Sequence, residues 1–329
     1  MTISELGQVA LPDNIVNKLL QATEAYAELN TLQRIYPDMC TVATNLLTIC
    51  DVYYRAINIG NNIELNSVIQ DSFTSDSRSD INLFMQSYQS CKAYAHEKKA
   101  EAGVLTAVDI VRINDALLSL DIGILSKQDV FFDYMPCIEP FWMILHELYN
   151  PKPQYHILLE VAIALARFMS FAGDEKLCLS TLNIFLSVVF ENNSAFEGLI
   201  MQWTLLTNPR KAFSEIDDEN KLIHVLTVFE KMWRLQSSLF YRLADIKTVI
   251  LRKLQADCPT LASPQITQLL ANMICLRISD LQSNLNVSSK TAIGYLKMLE
   301  QGGILHSIKV GRDRFCFNTI YCNMLQDLI

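Results

Sequence analysis

A short polar segment between two apolar stretches is the first place where residue types and spacing suggest chemistry. The stretch FMSFAGDEKLCLSTLNIF, from Phe168 to Phe185, contains the insert Ala172–Lys176. A polar loop that precedes a helix is a common position for a nucleotide site, because the backbone N–H groups of a helix N-terminus can hold phosphate oxygens. The insert therefore indicates either a nucleotide site or a simple turn between two core helices.

The cysteines and histidines lack the spacing of a metal or disulfide site. The nine cysteines are odd in number and include no C-x-x-C pair, and the five histidines form no H-E-x-x-H motif. Most cysteines have apolar neighbours. The pattern predicts buried, reduced thiols and no metal site.

The bulk composition predicts a folded, acidic protein with a large core. The 329 residues are 50% hydrophobic and 19% charged, with a formal net charge of −8. This charge argues against a nucleic-acid surface over the whole chain, although a local basic patch remains compatible with it. Residues 1–14 do not resemble a signal peptide, and the apolar runs 157–171 and 177–190 are shorter than a membrane span, so we expect a cytoplasmic protein with no membrane partner.

Most of the chain is predicted to be helical, because glycine and proline are scarce and apolar residues recur at helical spacing. Thr106 before Ala107-Val108-Asp109 is a capping signal. The best strand in the first half is 130–134, which could belong to a hairpin. The predicted helices occupy residues 12–59, 63–73, 81–100, 107–120, 137–149, 155–171, 177–191, 195–206 and 219–253.

The last 65 residues have a different organisation. Residues 254–264 contain two prolines and no amphipathic pattern, which indicates a linker. Three helices follow, at 267–274, from Ile278, and at 287–300, and Gly302 and Gly303 end the third. Two alternating strands, 304–310 and 314–318, join at a turn. This order predicts a winged helix-turn-helix.

Several segments resemble the Fic family, in the type that carries an N-terminal Fic-associated region and a C-terminal winged helix. SSKTAIGYLKMLEQGGILHSIKVGRDRFCFNT (Ser288–Thr319) is similar to that family's winged helix, and LTAVDIVRINDALLSLDIGILSKQ (Leu105–Gln128) is similar to one of its core helices. Asp133–Pro136 falls where the family has a β-hairpin flap. The resemblance implies a mainly α fold, a Fic-like helical bundle with a small flap, divided into an N-terminal region (1–100), a Fic-like core (101–254), a linker (255–264) and a winged-helix domain (265–329).

The family's enzymes transfer AMP from ATP to a protein hydroxyl with the motif H-P-F-x-[D/E]-G-N-G-R-x-x-R. The histidine removes the proton of the target hydroxyl, and the acid holds Mg²⁺ between phosphates. The Gly-Asn-Gly amides hold anionic oxygens, and the arginines neutralise the outer phosphates. The resemblance places this motif on the polar insert.

Aligned at Phe171, the motif has lost nearly every reacting group. The remaining positions are Met169 for the histidine, Ser170 for the proline, Gly173 for the acid, Asp174, Glu175 and Lys176 for Gly-Asn-Gly, and Leu177 and Ser180 for the two arginines. Two carboxylates now stand where phosphate would bind, and like charge disfavours it. A shift by one residue brings Asp174 to the metal position but restores neither base nor arginine. The resemblance thus predicts a protein that does not transfer AMP and has no cofactor.

Many family members also carry an inhibitory helix with the motif [S/T]-x-x-x-E-[G/N], whose glutamate pairs with the second arginine. In Gly60–Leu65 only Glu64 matches this motif. Its implied partner position is Ser180, which cannot form an ion pair. Glu64 is therefore either a vestige of the inhibitory helix or an ordinary surface residue.

Three functions remain open. The first is a non-catalytic Fic-like scaffold that binds a protein partner or a second copy of itself. The second is a regulator that binds duplex DNA through the winged helix, although residues 265–329 carry a formal charge of only +2. The third is a diverged nucleotidyltransferase that binds ATP and Mg²⁺, with Arg167 and Lys176 as nearby cations. The residues predicted to contact DNA are Ser289, Lys290, Thr291, Tyr295 and Lys297 on the third helix and Lys309, Arg312 and Arg314 on the wing.

Overall fold

Helices make up most of the described chain. The computed structural model describes residues 11–58, 64–74, 80–120, 125, 157–171, 181, 184–185, 187–188, 217–310 and 312–328. Within these residues one small three-stranded sheet accompanies the helices, so the mainly α prediction is confirmed. None of the helices in these ranges combines the length and the apolar character needed to cross a membrane.

The first predicted helix is two helices, α1 (Asp13–Ile35) and α2 (Pro37–Asn58), separated at Tyr36. Proline has no N–H to donate and fits the first turn of a helix, so Pro37 starts a new helix rather than continuing the old one. The helix predicted at 63–73 is confirmed as α3 (Leu65–Phe73).

The next two helices are α4 (Asp80–Ala102) and α5 (Ala107–Ser119). The predicted cap is confirmed, because the Thr106 hydroxyl accepts from the Asp109 N–H at 3.2 Å and the Asp109 carboxylate accepts from the Thr106 N–H at 2.9 Å. The Tyr94 hydroxyl also donates to Asp109, at 2.7 Å. Asp109 is thereby satisfied although it is buried, and α4 is fixed against α5.

Three further helices are α6 (Ile157–Phe171), α7 (Asp218–Ala244) and α8 (Ile246–Asp257). The prediction of one continuous helix over 219–253 is wrong, since the helix is interrupted at Asp245. Aspartate is unfavourable inside a helix because its side chain competes for backbone hydrogen bonds.

The C-terminal region contains the sheet and four more helices. The three helices and two long strands predicted there are confirmed, whereas the short strand β1 and the final helix α12 were not predicted. The elements are a 3₁₀ turn (Pro259–Leu261), α9 (Pro264–Asn272), β1 (Cys275–Leu276), α10 (Ile278–Leu285), α11 (Ser289–Gln301), β2 (Leu305–Val310), β3 (Asp313–Asn318) and α12 (Thr319–Leu328).

The segment predicted as a linker, 255–264, has a regular structure with two buried side chains. It consists of the end of α8, the 3₁₀ turn and the start of α9. Cys258 and Leu261 are buried, and the Ser263 hydroxyl accepts from the Ile266 N–H at 3.3 Å as the cap of α9. Burial of these two side chains holds the connection in place.

The chain forms two compact units, each assembled from two separate stretches. One contains residues 1–31 and 84–237, and the other contains residues 32–83 and 238–329. In the first unit Trp233 is fully buried, with Phe229 stacked at 5.2 Å and Tyr26 edge-on at 5.4 Å between ring centroids. The domain boundaries implied by the Fic resemblance stay a prediction.

The second unit is built around the antiparallel sheet, whose strand order is β1-β3-β2. Phe317 of β3 packs edge-on against Phe73 of α3, with 6.0 Å between ring centroids. Two buried side chains donate hydrogen bonds to carbonyl groups in the last turn of α9. These carbonyls have no N–H partner within the helix. Asn318 donates to the Leu270 carbonyl at 3.0 Å, and Tyr321 donates to the Ala271 carbonyl at 2.5 Å.

Several predictions fall on parts of the chain outside the described residues. These are the strand 130–134 with the flap Asp133–Pro136, and the helices 137–149 and 195–206. They stay predictions.

Candidate nucleic-acid interface

A tight turn sets the position of α11 relative to α10. Helix α10 ends at Asn286, whose φ of 51° lies in the left-handed region that asparagine tolerates better than most residues. Ser288 then caps α11, because its hydroxyl accepts from the Thr291 N–H at 3.2 Å. Three residues therefore connect the two helices, as in a helix-turn-helix.

Helix α11 has one buried face and one outward face. Ala292, Leu296 and Leu299 are at most 1% exposed and lie on the same side of the helix. Lys290 and Lys297 lie on the opposite side, at the seven-residue spacing that brings two side chains onto one face, and both are exposed. The apolar packing of α11 thus directs both lysines outward.

The five residues of α11 that are predicted to contact DNA differ in their exposure to solvent. Ser289, Lys290 and Lys297 are exposed, whereas Tyr295 is half-buried. The Thr291 hydroxyl lies 2.9 Å from the Ser288 hydroxyl at the start of the helix, so it takes part in capping. Two lysines and one serine remain as side chains directed to solvent.

The β2–β3 hairpin brings two more cations to its tip. In the register of the two strands Lys309 lies opposite Arg314, and Val310 lies opposite Asp313. Two residues, 311 and 312, therefore connect the strands. Lys309 and Arg312 are both exposed. The hairpin therefore presents two positive charges next to the exposed carboxylate of Asp313.

Arg314 belongs to an internal contact rather than to the outward surface. Its guanidinium donates to the two carboxylate oxygens of Glu300 at 2.7 and 2.5 Å, and its Nε donates to the Ser307 hydroxyl at 3.0 Å. Such charge-assisted hydrogen bonds are stronger than neutral ones. Arg314 thus fixes the hairpin to the last turn of α11.

Sequence reasoning did not single out Arg277, which lies at the start of α10. Its guanidinium stands 4.5 Å from the centre of the Phe315 ring on β3, within the range of a cation–π contact. Its backbone N–H donates to the Asp280 carboxylate at 2.6 Å. The contact joins residues 38 positions apart in the sequence, so no local pattern could have indicated it.

Four cations of this region have no partner among the residues that the structure describes. The side chains of Lys290, Lys297, Lys309 and Arg312 form no ion pair or hydrogen bond with a described residue. Among the acidic groups nearby, Glu300 is neutralised by Arg314. The outward surface of α11 and the hairpin tip carries these four cations and the carboxylate of Asp313, a formal charge of +3, because the opposite charges of Glu300 and Arg314 cancel.

Burial favours the protonated form of the thiols in this region. Burial raises the pKa of Cys275 to about 12 and that of Cys316 to about 11. Burial also raises the pKa of Cys322 to about 11. All three thiols are protonated at pH 7, and a protonated thiol is a poor nucleophile and a poor metal ligand. Within the described parts of the chain, no group of three or more His, Cys, Asp or Glu residues is arranged to hold a metal ion.

The residues predicted from the Fic motif are only partly described. Met169, Ser170 and Phe171 lie in the last turn of α6, and their side chains are outside the described part of the structure. Glu64 is an exposed residue just before α3 that makes no capping hydrogen bond with its side chain. The other motif positions lie outside the described residues altogether: Gly173, Asp174, Glu175, Lys176, Leu177 and Ser180.

Comparison with known proteins finds no family model and no curated protein that matches this chain. The resemblance to the Fic family therefore stays a prediction that rests on the sequence segments given above.

Proposed function

We propose that residues 265–329 form a winged helix-turn-helix domain that binds duplex DNA, with α11 as the recognition helix and the β2–β3 hairpin as the wing. The observation that carries the proposal is the set of exposed cations on α11 and the hairpin tip that form no ion pair or hydrogen bond with any residue the structure describes: Lys290, Lys297, Lys309 and Arg312.

The geometry of α11 suits insertion into a groove. The major groove of B-DNA is about 12 Å wide and admits one α-helix. Lys290 and Lys297 are separated by about 10 Å along the helix axis, at roughly 1.5 Å per residue. They face outward together, so both are available to phosphates that border the groove.

The charge of the chain limits how tight this binding is. Four phosphate contacts give a modest electrostatic attraction, and the net charge of −8 opposes it. We expect binding to mixed-sequence duplex DNA with a dissociation constant in roughly the micromolar range at physiological salt.

A salt titration of the whole chain with a fluorescent duplex tests the proposal. Release of counterions from four phosphates predicts a slope of about −3 to −4 in a plot of log K against log salt. Lys231→Ala is the control, because Lys231 is an exposed lysine of α7 in the other compact unit and its removal should leave the slope unchanged. Absence of binding at low salt, or an affinity that does not change with salt concentration, would refute the proposal.

A second candidate function is a non-catalytic Fic-like scaffold that binds a protein partner or a second copy. It is favoured by the residues at the motif positions, since Met169 cannot act as a base and neither Leu177 nor Ser180 carries a charge for phosphate. This candidate is compatible with DNA binding, because it concerns a different part of the chain.

Incubation with labelled ATP, Mg²⁺ and a cell lysate tests this second candidate. We expect no protein labelling that depends on the chain. Mg²⁺-dependent labelling that disappears when the chain is left out would instead support a diverged nucleotidyltransferase. Thermal unfolding with millimolar ATP gives a separate readout, since a bound nucleotide must raise the melting temperature.

A further inference from the structure

Gly294 lies in the middle of α11, where glycine is an unfavourable residue. A glycine inside a helix destabilises it relative to alanine, because glycine loses more backbone freedom on folding. Such a glycine is tolerated at a cost in stability relative to alanine, and packing, backbone conformation or a close neighbour can offset this cost.

Nothing within the described chain requires glycine at this position. A Cβ built on Gly294 meets no atom within 4 Å. Its backbone is helical, unlike Gly103 and Gly303, which have positive φ values. Internal packing and local conformation would therefore accept alanine at position 294.

The position of Gly294 on the helix is informative. Residues four apart share a helix face, so Gly294 lies on the outward side between Lys290 and Lys297, opposite the buried Leu296. The outward face thus has no side chain at Gly294, which is half-buried, and has one cation about one turn away in each direction.

We propose that Gly294 is the point at which duplex DNA approaches α11 most closely. This inference rests on the proposed DNA binding and adds the place where the helix backbone meets the groove. A missing side chain lets a ligand come near the backbone, and the flanking lysines make that ligand an anion. The exposed large hydrophobic side chains of the described residues all lie outside α11, so an apolar helix of a second copy fits this face less well.

Two substitutions test the inference because they separate stability from affinity. Gly294→Ala should raise the melting temperature, since alanine favours the helix, and yet weaken binding to the duplex. Gly294→Leu should weaken binding by at least about tenfold at fixed salt, because its side chain holds the helix away from the groove. A change that acted only through folding would move stability and affinity in the same direction.

Gln255→Leu on α8 is the matched control, because it adds an exposed leucine on another helix of the same compact unit. This variant should bind as the unaltered chain does. If the unaltered chain binds and Gly294→Leu binds within twofold of it, the inference is overturned while DNA binding stands. If Gly294→Ala lowers the melting temperature, internal structure requires the glycine and the inference also fails. If the unaltered chain does not bind duplex DNA, both proposals are overturned.

Discussion

The end of α11 comes so close to the residues after α8 that Gly302 has no room for a side chain. A Cβ at Gly302 would collide with the Cys258 sulfur and lie 3.2 Å from the Asp257 Cβ. The Cys258 thiol is itself held in place, since it is buried and donates to the Met298 carbonyl at 3.1 Å. The contact between these segments therefore depends on the absence of one methyl group.

Gly302→Ala should lower the free energy of unfolding by about 1–3 kcal/mol, the usual cost of overpacking. Urea denaturation measures this change. In the Cys258→Ala background the same substitution should cost clearly less, because the colliding sulfur is gone. An equal cost in both backgrounds would mean that the sulfur is not the obstacle.

Arg314 and Glu300 connect the hairpin to α11, and this pair decides how rigidly the two proposed DNA-contacting elements are joined. Both side chains are partly exposed, at 38% for Arg314 and 20% for Glu300, so solvent weakens their attraction. The guanidinium is nevertheless held at two of its nitrogens, since Nη2 contacts both carboxylate oxygens of Glu300 and Nε donates to the Ser307 hydroxyl.

Arg314→Glu should destabilise the chain by about 1 kcal/mol, because it places two carboxylates together. The double variant Arg314→Glu with Glu300→Arg should recover a large part of this loss. A double-mutant cycle in urea measures the coupling, and a coupling energy near zero would show that the pair contributes nothing.

At the scale of elements, α1 and α7 are joined by a network of charges around Glu230. Lys18 of α1 donates to Glu230 at 2.8 Å, and Arg234 donates to it at 3.0 Å. Burial acts to raise the pKa of Glu230, but the hydrogen bonds from Lys18 and Arg234 outweigh it and hold the pKa below its ordinary value. The folded state therefore favours the charged carboxylate.

A lowered pKa in the folded state gives stability that is present above the ordinary glutamate pKa and lost as the pH falls through the lowered value. Glu230→Gln should thus reduce the free energy of unfolding by about 1 kcal/mol at pH 7. This difference should shrink as the pH falls from 5 to 3. Urea denaturation across that range measures it.

Asp218→Asn is the control for Glu230, because Asp218 forms an ion pair with Lys221 within one turn of the same helix. Neighbouring pairs of this kind contribute only about 0.3–0.5 kcal/mol. A difference for Glu230→Gln that stays constant down to pH 3 would contradict the assigned pKa shift.

The elements that the sequence predicts well are those whose signals are local. The cap at Thr106 needs only Asp109 three residues later, and the end of α11 needs only Gly302 and Gly303. Strand β1 was missed because two residues are too few for alternation to be visible. The breaks at Tyr36 and Asp245 were missed because apolar spacing continues through them.

The candidate site was predictable in its charges but not in its contacts. The exposed lysines of α11 follow from helical spacing against a buried apolar face. The engagement of Arg314 by Glu300, 14 residues away, depends on how a hairpin packs on a helix, and that information is not local. The same holds for Arg277 on Phe315.

At the scale of the whole molecule, each compact unit combines residues that are distant in the sequence. The C-terminal helices share their unit with α2 and α3, and Phe73 packs on Phe317 of the sheet. A fragment that starts at residue 265 would lose this packing and expose Phe317. Binding experiments therefore belong on the whole chain.

The double variant Lys290→Ala with Lys297→Ala gives the most direct test of the central claim, that the outward face of α11 binds duplex DNA. Its salt titration should have a slope smaller by about 2 than that of the unaltered chain on the same duplex, since each phosphate contact contributes about 0.9. Its melting temperature should stay the same, because both side chains are exposed. An unchanged slope would contradict the claim.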